Sequence, residues 1–123
     1  MSTATLLARA VKEVASARLL YEQAFYEASV SRAYYGMFYA AEAMLLYHNQ
    51  TASTHKGLIT LFARHLVKPG LVPARYGQML SRASQKRQVA DYADDFVILP
   101  EEAADILANA EEFVRFAEVF CTD

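Results

Sequence analysis

Residues 26 to 47 read Tyr-Glu-Ala-Ser-Val-Ser-Arg-Ala-Tyr-Tyr-Gly-Met-Phe-Tyr-Ala-Ala-Glu-Ala-Met-Leu-Leu-Tyr. On a helix, Tyr26, Val30, Ala33, Met37, Phe38, Ala41, Met44 and Leu45 share one face, and Tyr35, Tyr39 and Leu46 fall on another. A surface helix carries one apolar stripe, whereas a helix that is apolar on most sides has to be covered by several neighbours. The stretch therefore predicts a central helix, buried by the rest of a bundle or by a second copy of the chain. Arg32 and the hydroxyls of Tyr34, Tyr35 and Tyr39 need polar partners where they are buried, so these four residues are expected to have structural or interface roles.

Working outward, Leu7, Ala10, Val11, Val14, Ala17 and Tyr21 recur at helical spacing and predict a first helix over about residues 3–23. The aromatic helix is expected to end near His48 or Asn49. Ser53 or Thr54 can then cap a short third helix marked by Leu58, Ile59, Phe62 and Leu66. Lys68-Pro69-Gly70 breaks it, and Pro73 suits the first turn of a fourth helix running to about Val89. That helix carries Tyr76, Met79, Leu80, Ala83, Arg87 and Ala90 on one face, so an arginine interrupts an apolar stripe. Residues 94–99 read as a connector, and Pro100-Glu101-Glu102 opens a last helix with acids where the dipole favours them. Its stripe is Ala103, Ile106, Leu107, Ala110, Phe113, Val114, Ala117 and Phe120. No strand pattern competes. The expectation is an all-α, up-and-down bundle of four to five helices around a central aromatic-rich helix, in a single domain over residues 1–123.

A hydrophobic share of 54% with four Gly and three Pro argues against disorder. The lone Cys121 cannot form an internal bridge, which favours a reducing cytoplasm. Arg32 and Glu42 interrupt the best candidate for an apolar span of about 18 residues, so no membrane segment is expected. Net charge is only −2, but its distribution is uneven. No Asp or Glu occurs from His55 to Ala90, where Lys56, Arg64, Lys68, Arg75, Arg82, Lys86 and Arg87 lie. From Asp91 onward the acids dominate against the single Arg115. Two explanations stand: the last helix folds against the basic segment and cancels it, or the basic segment forms a groove for phosphates.

Three segments taken in order carry a family resemblance: Ser31-Arg32-Ala33-Tyr34-Tyr35-Gly36-Met37-Phe38-Tyr39-Ala40-Ala41-Glu42, then Thr54-His55-Lys56-Gly57-Leu58-Ile59, then Arg87-Gln88-Val89-Ala90-Asp91-Tyr92. Together they resemble the HEPN domain superfamily, in its small single-domain branch associated with minimal nucleotidyltransferases. The resemblance implies a helical bundle, commonly dimeric, found in prokaryotes beside a minimal nucleotidyltransferase. It also implies nucleotide or RNA binding, or RNA cleavage, in toxin–antitoxin and defence systems. The ribonuclease members carry an Arg followed after four to six residues by a His. Arg87 matches the arginine, but Tyr92, Ala93 and Asp94 stand where the histidine would be, and no histidine follows His65.

A tyrosine with a pKa near 10 is a poor general base at neutral pH, so cleavage would need Arg87 with Tyr92 or His55 as the substitute. The favoured expectation is a dimeric module that binds nucleotide, RNA or a nucleotidyltransferase partner without ribonuclease activity; a further alternative is a structural dimer that docks another protein through its aromatic helix. Arg87 can bind a phosphate together with Arg82 and Lys86, or can be held by Asp91 one turn on as a local ion pair. His55, at a helix start, reads more readily as a capping or packing residue than as an acid–base group. Neither a His-x-x-x-His nor a Glu-x-x-His pair occurs, so no metal or cofactor is expected.

Overall fold

The structure, a computed structural model, describes residues 1–92 and 97–122, with the side chain of Tyr92 excepted. Among the described residues, five α-helices follow in order: α1 (Thr3–Glu22), α2 (Tyr26–Tyr47), α3 (His55–Phe62), α4 (Ala74–Tyr92) and α5 (Pro100–Phe120), with a π-helical turn over Ala63–Val67 extending α3. The Ser2 hydroxyl accepts from Thr5 N–H to cap α1, and the Thr54 hydroxyl accepts from Gly57 N–H to cap α3. The π turn, which the 3.6-residue pattern did not anticipate, closes on the Lys68 N–H to Ala63 carbonyl bond and stops at Pro69 and at Gly70, whose φ is +85°. Helix α4 starts one residue after Pro73 and runs past the expected Val89 to Tyr92, which brings Asp91 onto the same helix as Arg87. Residues 97–99 of the expected connector are irregular, and residues 94–96 lie outside the described residues.

Helix α2 is central and packs against α1, α3, α4 and α5. Val30, Ala33, Tyr34, Met37, Ala40, Ala41, Met44 and Leu45 are buried within the chain, while Tyr35, Phe38 and Tyr39 keep partial exposure. The rest of the bundle thus covers most of the all-round apolar surface. Polar ties fix its register. The buried Ser29 hydroxyl donates to the Ala17 carbonyl at 2.8 Å, and Arg32 pairs with Glu13 at 2.8 Å, joining α2 to α1. Arg18 forms a two-pronged contact with Glu111, at 2.9 and 2.7 Å, joining α1 to α5.

Gly36 marks the closest approach of α1 and α2, since an added Cβ would sit 2.5 Å from Val14 Cγ2 and 3.3 Å from the Ala10 carbonyl. Val14 is β-branched and rotamer-restricted, and a backbone carbonyl cannot step aside. Gly36→Ala would gain about 1 kcal/mol of helix propensity. Overpacking of about 1–3 kcal/mol opposes that gain, so a net loss of stability is expected in urea unfolding. A more stable variant would mean that the two helices are free to part.

Candidate functional site

Of the sequence-selected residues, Tyr34, Tyr35, His55 and Arg87 converge on one place where α2, α3 and α4 meet, with Asp91 beside Arg87. Thr54 and Gly57 set the first turn of α3, so that His55, its first residue, lies over the aromatic face of α2. The imidazole stacks on Phe38 at 4.2 Å between ring centroids and meets Tyr35 edge-on at 5.8 Å. Its Nδ1 is 2.9 Å from the Tyr34 hydroxyl, with either atom able to donate. Ser84 of α4 lies close enough to the same hydroxyl to favour its ionised form. Across from His55, the Arg87 guanidinium lies 5.2 Å from the Tyr34 ring and 5.4 Å from the Tyr35 ring. Such cation–π placement is worth about 0.5–2 kcal/mol.

Arg87 has only 12% of its side chain exposed, and its contact to Asp91 Oδ2 measures 3.5 Å. The expected ion pair is present, at the long end of hydrogen-bond distance. Burial is the main influence on Tyr34, raising its pKa, with Ser84 and the Arg87 charge pulling the other way. Burial also depresses the His55 pKa, and the Arg87 charge adds to the effect. At neutral pH the site therefore holds a protonated phenol and a neutral imidazole beside a guanidinium.

The His55 shift has a stability consequence with a definite sign. The unfolded chain takes up the proton near pH 6.5, the folded site at lower pH. The stability His55 contributes is therefore complete above about pH 6.5 and is lost as pH falls below it. Thermal unfolding from about pH 7.5 to 5.5 is expected to show a steeper decline for the wild type than for His55→Gln. Equal slopes would mean that His55 titrates as it does in water.

The other basic candidates face away from this cluster. Arg82 lies 3.9 Å from Asp105, and Lys86 pairs with Glu102, both on α5. Lys86 is also the leading cause of the lowered Glu102 pKa, ahead of the bond from Leu99 N–H. Arg75 adds a third tie, 3.2 Å from Glu112. Along α4, positions 82 and 86 thus share the α5 side while position 87 turns toward α2, and charge cancellation between the basic and acidic segments is real for these three. Arg32 lies over the Tyr35 ring at 4.8 Å, and Arg9 of α1, which sequence reasoning did not single out, lies over Tyr39 at 5.4 Å. The side chain of Tyr92 and residues Ala93 and Asp94 lie outside the described residues. His48 is exposed and His65 half-buried, each away from the cluster. No described helix is long and apolar enough to cross a membrane, and the described residues contain no group of three or more potential metal ligands.

The HEPN domain family model matches residues 3–120. A UPF0332 protein of Gloeobacter violaceus is 35% identical over 116 residues, which cover 94% of this chain and 92% of that protein. A protein of Methanocaldococcus jannaschii named "Putative toxin MJ0605" is 35% identical over 109 residues, 89% of this chain and 81% of its own length. A UPF0332 protein of Archaeoglobus fulgidus is 37% identical over 110 residues, 89% and 87% of the two chains.

Proposed function

Since this chain belongs to the HEPN domain family, we propose that it is the toxin-type partner in a two-protein system and binds single-stranded RNA or a nucleotide through Arg87 without cleaving it. The observation that carries this reading is the Arg87 guanidinium set over Tyr34 and Tyr35, with the neutral His55 against the same rings. A phosphate would displace the long Asp91 contact and take the guanidinium in bidentate geometry. Arg82 and Lys86, engaged by α5, contribute field rather than direct contacts. The name carried by the M. jannaschii relative supports the toxin-type role. The partly exposed rings of Tyr35, Phe38 and Tyr39 support a homodimer packed along α2. The family resemblance supports a minimal nucleotidyltransferase as the second protein and a prokaryotic cytoplasm as the setting.

Asp91 separates phosphate binding from a purely structural lock. Asp91→Asn removes a negative charge beside the proposed phosphate, so the affinity for a labelled single-stranded RNA is expected to rise several-fold at low salt. The lost i,i+4 pair should cost only about 0.3–0.5 kcal/mol of stability. Unchanged affinity with reduced stability would leave Arg87 and Asp91 as a helix-end lock.

One observation favours a second reading, metal-independent RNA cleavage: His55 is neutral and shares a hydrogen bond with a phenol beside Arg87. A neutral imidazole can take the proton of a ribose 2′-hydroxyl as that oxygen attacks the adjacent phosphorus and the bond to the 5′-oxygen breaks, while the guanidinium stabilises the phosphate and the imidazolium or a water returns a proton to the leaving 5′-oxygen. Cleavage of the same RNA that disappears in both His55→Ala and Arg87→Ala would replace the binding-only reading with this one.

A further inference from the structure

A second surface begins beside His55 of the Arg87 cluster and runs away from it along α3 and the π turn. Of the seven cations between His55 and Ala90, Arg75, Arg82, Lys86 and Arg87 face carboxylates. Lys56, Arg64 and Lys68 are exposed and make no ion pair among the described residues. These three line a chain of recesses: Lys56 borders one, and Arg64 and Lys68 another, the two meeting at Thr60. A third, of about 330 Å³, joins the second at Ala63 and Val67 and continues between the π turn and α4, over Ile59, Ala74 and Gly77. The result is a shallow groove, polar at the start of α3 and apolar along the π turn, with basic side chains of one sign beside it, in a stretch of sequence without any carboxylate.

We propose that this groove receives an acidic amphipathic helix from a protein partner. The thirteen residues from His55 to Val67 span about 20 Å, the length of three to four helical turns. An apolar stripe at i, i+3, i+4 and i+7 would use the floor while carboxylates on its flanks meet Lys56, Arg64 and Lys68. A nucleic acid fits less well. Phe62, the aromatic residue lining the groove, is fully buried, so no ring is available to stack a base, and the apolar floor would stay unused.

The test uses the full chain and a fluorescent synthetic helix of about 14 residues, with leucines in that stripe and glutamates elsewhere. Two control peptides carry the same residues with the leucines scattered, or lysines in place of glutamates. Saturable binding of the striped acidic peptide alone is expected, weakened about tenfold or more by Arg64→Glu with Lys68→Glu and by Gly77→Leu, which fills the third recess. The charge substitutions are exposed and should leave the fold intact, to be checked by circular dichroism. Arg87→Ala should leave peptide affinity unchanged, keeping this surface distinct from the proposed phosphate site. Equal binding of the scattered peptide, failure of all peptides to bind, or loss of RNA binding instead of peptide binding in the Arg64/Lys68 variant would each overturn the proposal.

Discussion

Arg87→Ala is expected to weaken binding of single-stranded RNA by about 10- to 100-fold, the worth of one charge-assisted, bidentate phosphate contact of about 1.5–3 kcal/mol. The salt dependence should flatten as well, by about 0.7 in the slope of log K against log salt, for one phosphate fewer. Arg87→Lys should recover little of the loss. Lysine keeps the charge but has neither the planar fork nor the flat face that lies over Tyr34 and Tyr35. Some stability will go too, because the side chain is 12% exposed and covers two aromatic rings. The affinity comparison therefore belongs at a temperature where both variants remain folded. Full recovery by lysine would mean that Arg87 acts only as a point charge.

The second large effect concerns the frame that holds the site. Phe113 of α5 is fully buried, with Phe62 at 5.7 Å and Tyr76 at 5.8 Å between ring centroids, so it joins α5 to α3 and α4. Phe113→Ala removes most of an aromatic side chain where several elements meet and the space cannot easily collapse. A loss of about 3–5 kcal/mol is expected, a large part of the total stability of about 5–15 kcal/mol typical of such a domain. Val119 is on the same helix but 75% exposed, so Val119→Ala should stay within about 0.5 kcal/mol of the wild type. Urea unfolding of the two variants checks both numbers. Similar small losses would mean that α5 is not closing the core.

The fold was legible because its signals are local. The surface of residues 26–47 required cover on several sides, and α2 contacts four other helices. Pro100 and the Thr54 cap fixed helix starts, and the apolar stripe of α5 reappears as its buried face. The π turn was not legible, because it reflects how the chain leaves Phe62 rather than a residue pattern. Of the site, Arg87 stood out as a cation on an apolar face, and its pairing with Asp91 follows from one-turn spacing. The division of Arg82 and Lys86 from Arg87 depends on which side of α4 meets the acidic helix, a tertiary fact. So does the meeting of His55 with Tyr34 and Phe38, between residues 21 and 17 positions apart on different helices. The signal that could have found it was the rigid Thr54–Gly57 cap, which leaves the first residue of α3 little choice of direction.

The most direct measurement is titration of one labelled single-stranded RNA, at two salt concentrations, into the wild type, Arg87→Ala, and the double variant Arg82→Ala with Lys86→Ala. A site centred on Arg87 is expected to lose most of its affinity in the single variant and only a small, salt-screened part in the double one. Equal losses in both would contradict it, because residues held by α5 would then bind the phosphates as directly as the one set over the tyrosines.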